Sequence, residues 1–226
     1  MNKIAIIITG DVRDCYAKDL LKKELKDFDI FVGSYYNHKA FLKDFGKLNY
    51  MKLIKPNEIR LPHDISNEKY QQNMLQFLHL DNIIKTFTHE LNQYDYIFKL
   101  RFDIIIKTNL SYKDYIYRTV KNIEDGRLYN HSDIFFFSTT KTFFKLFCDF
   151  YDNIIRQTFN TIEKYDGSFE NSWKAEISFK QNTILKNIHY ERYDMIEIIR
   201  GNYKKENGDG NRKLYNENIR LCGEFQ

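Results

Sequence analysis

The sequence predicts an α/β fold, a mostly parallel central sheet with helices on both faces. Short, continuous, apolar runs with β-branched bias recur along it, the pattern of strands buried on both faces. Longer stretches between them carry apolar residues at helical spacing. The two patterns alternate, which implies βαβ units. At 226 residues the chain suits one large domain of this class, and 42% hydrophobic and 16% aromatic residues supply its core. Disordered, collagen-like and coiled-coil classes are excluded by the same composition.

Lys3 to Thr9 (KIAIIIT) reads as the first strand, broken by Gly10-Asp11. Arg13 to Lys26 follows as a helix, with Tyr16, Leu20, Leu21 and Leu25 on one face. Asp29 to Tyr35 is a second strand, Lys39 to Leu48 a helix, and Tyr50 to Ile54 a third strand. Pro56 and Pro62 hold the next segment extended or turned. Asn67 to Leu91 is the longest helical pattern, built on Met74, Leu75, Leu78, Ile83, Ile84 and Phe87. Tyr94 to Lys107 (YDYIFKLRFDIIIK) is the strongest strand signal and carries charge in its middle. Tyr112 to Ile123 reads as a helix and Asp133 to Ser138 as a strand. Lys141 to Tyr165 is an aromatic-rich helix, Ser172 to Asn187 another, and Tyr193 to Ile199 a late strand. There is no internal repeat and no interdomain linker. The Gly-, Asn- and Lys-rich stretch Gly201 to Asn211 predicts a mobile loop, a candidate lid.

Lys and Arg number 35 against 31 Asp and Glu, a net charge of +4. The excess suits an anionic small ligand or a peripheral membrane contact. The lysines form no basic block and no RNA-stacking motif is present, so nucleic acid is not an expected partner. The 3 Cys are far apart and make no CxxC pair, which fits a reducing cytoplasm. The run Ile4 to Ile8 is too short for a signal-peptide core, and no stretch is long enough for a transmembrane helix.

Ligands of open α/β sheets bind beyond the carboxyl ends of the strands. The turn Thr9-Gly10-Asp11-Val12-Arg13 lies at such an end. Its glycine lets backbone approach a ligand, and Arg13 suits a phosphate; an ordinary turn with a surface arginine is the alternative. It matches neither a dinucleotide fingerprint nor a P-loop. In Lys99-Leu100-Arg101-Phe102-Asp103, alternation places the three charges on one face. Charges amid apolar residues are costly unless paired or ligand-bound. Either the stretch opens into a cleft, where Asp103 takes a divalent metal or a sugar hydroxyl and Arg101 a diphosphate, or Asp103 pairs internally with Arg101 or Lys99. Glu176, early in a predicted helix, is either a general base or a carboxylate favoured by the helix dipole. Gln72, Asn73 and Gln76 face a ligand or solvent. The 6 His lack metal-ligand spacing and read as structural or surface residues.

Together these residues resemble a family. Its features here are the Gly-x-x-Arg turn (Gly10, Arg13), the strand Phe28 to Phe31, and the Gln-rich helix Gln71 to Phe77. Tyr-Asp-x-Ile-x-Lys-x-Arg-x-Asp (Tyr94 to Asp103), the aromatic strand Ile134 to Phe137 and the helix Glu176 to Leu185 complete it. The pattern is similar to the small GT-A-type nucleotide-sugar glycosyltransferases of lipopolysaccharide, capsule and viral glycan synthesis, including the WavE-like group. The resemblance spans roughly residues 3 to 200, and Lys99-x-Arg101-x-Asp103 is its most specific piece.

It implies a Rossmann-like fold with a donor half of about residues 1–110, an acceptor half of about 111–200 and a flexible tail over 201–226. It implies an enzyme moving a sugar from a nucleotide diphosphate to a hydroxyl of a glycan or lipid-linked saccharide. Gly10, Arg13, Lys99, Arg101, Asp103 and Gln76 would contact the donor, and Asp103 and Glu176 would be catalytic. Asp103 stands for the last carboxylate of the family's DxD motif, whose first carboxylate is replaced by Arg101. Mn²⁺ or Mg²⁺ at Asp103 and a metal-free reaction are therefore both open, as is a catalytically inactive binding module of the same fold.

Overall fold

The computed structural model describes residues 2–10, 16–39, 42, 50–55, 68–106, 108–131, 135–153, 182–192 and 196–198. The predicted helix over Lys39 to Leu48 and the Pro56–Pro62 segment fall almost wholly outside the described residues. So do the second half of the helix predicted to end at Tyr165, most of that over Ser172 to Asn187, and the Gly201–Asn211 loop.

The strands are β1 (Ile4–Thr9), β2 (Asp29–Tyr35), β3 (Tyr50–Ile54), β4 (Tyr96–Arg101), β5 (Ile104–Ile106), β6 (Arg127–His131), β7 (Phe135–Thr139), β8 (His189–Arg192) and β9 (Ile196–Ile198). The helices are α1 (Tyr16–Glu24), α2 (Glu68–Leu91), α3 (Tyr112–Thr119) and α4 (Thr140–Phe147). A seven-stranded sheet runs β3-β2-β1-β4-β7-β6-β8. β1 to β4 are mutually parallel, β7 is antiparallel to both of its neighbours, and β8 is parallel to β6. The α/β class and the mostly parallel sheet are as the sequence predicts.

β1 is buried along its whole length, so its two faces feed two cores. Ile4, Ile6 and Ile8 join Leu21 and Leu25, together with Tyr115 and Ile116 of α3. Ala5 and Ile7 join Phe77, Leu80, Ile83 and Ile84 of α2 and Phe143, Leu146 and Phe147 of α4. Helices therefore cover both faces. On the α1/α3 face a cross-strand aromatic ladder ties β4 to β6, Phe98 stacking on Phe137 at 4.8 Å and Phe137 on Tyr129 at 5.2 Å.

Local chemistry sets the helix ends. Ser111 caps α3, its Oγ accepting the Asp114 N–H at 3.1 Å. Thr139 caps α4 in the same way, through the Thr142 N–H at 3.2 Å. α2 is kinked at Phe87, next to a Thr88 hydroxyl that donates to the Ile84 carbonyl, a back-bond that bends helices. Gly33 on β2 is where α2 comes closest to the sheet. A Cβ there would lie 2.9 Å from both the His79 carbonyl oxygen and Ile83 Cγ1. Gly33→Ala is expected to cost about 1–3 kcal/mol through overpacking, and Gly33→Val more; urea unfolding of the two variants checks the order.

The sequence misread two long elements and missed two short ones. The helix predicted to run on from Lys141 stops with α4 at Phe147, and Cys148 and Asp149 make a turn before helix resumes at Phe150. Tyr94 to Lys107 is not a single strand. β4 ends at Arg101, a turn takes Phe102 and Asp103, and β5 leaves the main sheet to pair antiparallel with β9. Apolar runs report burial and do not show where a strand changes sheet. β6 and β8 escaped because RLYNH and HYER carry too little apolar residue to signal a strand; the register between them buries Leu128 and Tyr129.

Candidate functional site

Four parallel strands, β1 to β4, end at one edge of the sheet, and most of the described candidate residues lie there. Thr9 is paired in register with Gly33 on one side and Arg101 on the other. The ends of β1 and β4 are thus neighbours, and Gly10 lies directly beyond.

Gly10 has φ +114°, in the region that favours glycine. Its N–H donates to the Gly33 carbonyl at 3.0 Å, and its own carbonyl accepts the Ser34 hydroxyl at 2.7 Å. The turn is pinned toward β2 and open outward, for a Cβ at Gly10 would meet nothing within 4 Å. Ser34 Oγ also lies 3.0 Å from His38 Nδ1. A carbonyl can only accept, so the single hydroxyl hydrogen goes to Gly10, and Nδ1–H is the donor to Ser34. His38, Ser34 and Gly10 form one relay that fixes the turn.

Beyond β2 the chain makes a single 3₁₀ turn, Tyr36–His38, and leaves Tyr36 45% exposed. Lys39 Nζ and Lys55 Nζ each lie 5.5 Å from that ring's centroid. This is within cation–π range. The edge over β2 and β3 thus offers a flat aromatic face beside two ammonium groups, a surface that suits a planar ring carrying phosphate.

Arg101 grips Asp103 with two parallel bonds, Nε to Oδ1 at 2.9 Å and Nη2 to Oδ2 at 2.6 Å. The aspartate side chain is 2% exposed and the arginine 25%. Of the two readings open in the sequence, the internal pair is the one present. Both carboxylate oxygens face a guanidinium, so Asp103 as placed does not fit a divalent cation, which needs oxygen lone pairs turned away from positive charge. Among the described residues no three His, Cys, Asp or Glu side chains gather as a cation site. Arg101 keeps an exposed flank at the sheet edge. Lys99, two residues earlier, is buried at 1% exposure, its Nζ 5.1 Å from the centroid of the Phe136 ring.

His79 of α2 lies under the β2 end, its ring edge-on to Tyr35 at 4.5 Å. Burial, and secondarily the charge of His38, lower its pKa to about 4. It is therefore neutral at physiological pH. Among the described residues neither ring nitrogen has a hydrogen-bond partner, nor does Thr9 Oγ1.

Gly10, Arg101 and Asp103 thus come together, with Lys99 below. Gln76 lies on α2, but its side chain is not among those described, and Arg13 and Glu176 fall outside the described residues. Sequence reasoning passed over Tyr36, Lys39, Lys55 and His79. The signal for the first three was legible: Tyr36-Asn37-His38-Lys39 begins just beyond the carboxyl end of one strand, and Lys55 directly follows another. His79 gave none, since its burial depends on how closely α2 approaches Gly33.

Among the described residues no helix is long and apolar enough to cross a membrane. No family model and no curated protein matches the sequence. Solved structures with a similar course of chain include a glycosyltransferase involved in the glycosylation of the major capsid of PBCV-1. It is 11% identical, with a TM-score of 0.42, over 85% of this chain and 82% of that one. Mannose-1-phosphate geranyltransferase from Thermus thermophilus is 9% identical, with a TM-score of 0.48, over 87% of this chain and 76% of that one. At such identities the likeness concerns the fold alone.

Proposed function

We propose that the chain is a glycosyltransferase that takes a sugar from a nucleotide-diphosphate donor and passes it to a hydroxyl of a glycan or lipid-linked saccharide. The observation that carries this reading is the composition of the carboxyl edge. An open positive-φ glycine, an anchored guanidinium, and an exposed tyrosine with two lysines near its ring follow the ends of four adjacent parallel strands. Tyr36 offers a stacking face for the base. Lys39, Lys55 and the exposed flank of Arg101 match the charge of a diphosphate. Arg13, outside the described residues, is assigned to the diphosphate in this reading from its place in the sequence after Gly10.

In the reaction the acceptor oxygen bonds to the anomeric carbon, and the bond from that carbon to the phosphate oxygen breaks. The electron pair leaves with the nucleoside diphosphate, and the acceptor's proton passes to a base. Positive charge held where the leaving group gathers negative charge lowers the barrier. Asp103 holds Arg101 in one orientation for that task and acts as a positioning residue, with Lys99 behind it. Glu176 is the base of this reading if configuration inverts. No step is routed through a metal ion; the positive charge of this reading comes from Lys39, Lys55 and the Arg101 guanidinium, whose charge Asp103 partly offsets.

The same pair favours a second reading, a binding module without transfer, since it occupies the carboxylate that would otherwise meet the sugar. A thermal-shift panel of nucleosides, nucleoside diphosphates and nucleotide sugars, with and without Mn²⁺, tests binding. At about 100-fold saturation the native state gains about 2.7 kcal/mol. The expected result is a shift with diphosphate ligands only, lost in Tyr36→Ala and reduced in Lys39→Met and Lys55→Met. No shift with any nucleotide overturns both readings. Binding without transfer or donor hydrolysis retains only the module.

A further inference from the structure

The amino edge of the sheet, opposite the Gly10 turn, holds a cavity that the proposed reaction does not use. Its volume is about 370 Å³, at the lower end of the range for small-molecule sites. Three segments line it where they run into parallel strands: Asn2 to Ile4 before β1, Asp27 to Asp29 before β2, and Gln93 with Tyr94 before β4. Tyr117 of α3 closes one side.

Its walls differ in kind. Phe28 is buried and stacks on half-buried Tyr117, with centroids 5.9 Å apart and planes 26° apart. That pair backs a flat aromatic wall. The polar side is held in place by its own contacts. Tyr94 Oη donates to Asp29 Oδ2 at 3.0 Å, and Lys113 Nζ holds Asp27 Oδ2 at 3.0 Å. Burial first and Asp29 second raise the Tyr94 pKa well above its usual value, so its hydroxyl stays a donor across physiological pH. Asn2 and Gln93 add exposed amide groups.

Each simpler ligand class conflicts with one wall. An anion would face two carboxylates, while a cation would compete with Lys113, which already holds Asp27. A wholly apolar ligand would strip water from Asp27 and Asn2 without replacing its hydrogen bonds. A ligand with hydroxyls around its rim and an apolar C–H face fits both walls. Its hydroxyls meet carboxylates and amides, and its weakly positive C–H groups meet the negative face of the Tyr117 ring.

We propose that this cavity is a second saccharide-binding site, sized for a mono- or disaccharide and separate from the carboxyl-edge site. It gives the protein a hold on a carbohydrate chain independent of any bound nucleotide.

Saturation-transfer NMR on the full chain tests it, with glucose, galactose, mannose, N-acetylglucosamine, maltose and lactose as probes. The expected result is saturable binding of at least one sugar, unchanged by saturating nucleoside diphosphate and by Tyr36→Ala. Tyr117→Ala and Gln93→Ala should each weaken it at least tenfold. Gln93 is an exposed turn residue, so its variant keeps the test valid if Tyr117→Ala fails to fold. Absence of binding by every sugar overturns the proposal, as does binding that survives both substitutions. Neither outcome touches the nucleotide panel, so this site and the proposed activity fail separately.

Discussion

Arg101→Gln is expected to destabilise the fold by about 3 kcal/mol, the lower end of the cost of removing one partner from a buried ion pair. The reason is the asymmetry of the pair. Asp103 is 2% exposed, and Arg101 supplies it with two short bonds while remaining 25% exposed itself. Without the guanidinium, a carboxylate amid Phe102 and Ile104 loses its compensating charge. The reverse change is milder. Asp103→Asn leaves an arginine that reaches water, and should cost about 1–2 kcal/mol. Arg101→Lys should rescue little, because an ammonium cannot make the two-pronged contact. For a chain of this length, about 3 kcal/mol corresponds to roughly 6–12 °C in Tm. Urea unfolding of the single variants and of Arg101→Met/Asp103→Leu measures the coupling. Equal losses in both single variants, or a loss below about 1 kcal/mol in Arg101→Gln, would contradict the pairing described here. If the pair also serves the reaction, transfer by folded Asp103→Asn should fall by at least about 100-fold, as expected when a catalytic arrangement is displaced.

The second large effect is a loss of stability in acid that traces to His79. Its pKa is about 4 in the folded chain, against 6.5 for a freely solvated imidazole side chain. Between those values the unfolded chain takes up a proton that the folded chain refuses, so stability rises with pH across the window. Lowering the pH from about 6.5 to 4 should therefore remove about 3 kcal/mol, and the loss should level off below pH 4. His79→Leu abolishes this component. At pH 7 the same change should be close to neutral, because it replaces a ring whose nitrogens have no partner among the described residues. Unfolding free energies of the wild type and the variant at pH 7 and 4.5 check it. Carboxylates contribute equally to both proteins, so the difference between them is the readout. An identical acid loss in the two would refute the assignment to His79.

The first half of the fold was legible because its strands carry the signal that burial on both faces demands. β2 and β3 have the boundaries that the sequence predicts, and β1 differs only by Lys3. α2 begins one residue later than its apolar spacing predicts. The second half was less legible. β6 and β8 hold polar residues that are accommodated by pairing rather than by apolar burial, as Asn130 bonds through its amide to the Tyr190 hydroxyl at 2.8 Å. Three charges within five residues marked the end of β4 as unusual, but not which of them would pair.

The sequence by itself determined the α/β class, the position of the glycine turn after β1 and the presence of buried charge near residue 100. These depend on local composition and on periods of two and 3.6 residues, which a linear chain displays directly. The tertiary structure alone decided that Arg101 clasps Asp103, that Lys39 and Lys55 meet over Tyr36, and that His79 is sealed beneath Tyr35. The last two bring together residues from different elements. The first, though only two residues apart, depends on the turn that ends β4. In each case the outcome follows from the approach of backbone to backbone, at Gly33 or at the strand ends, and no single segment encodes that distance.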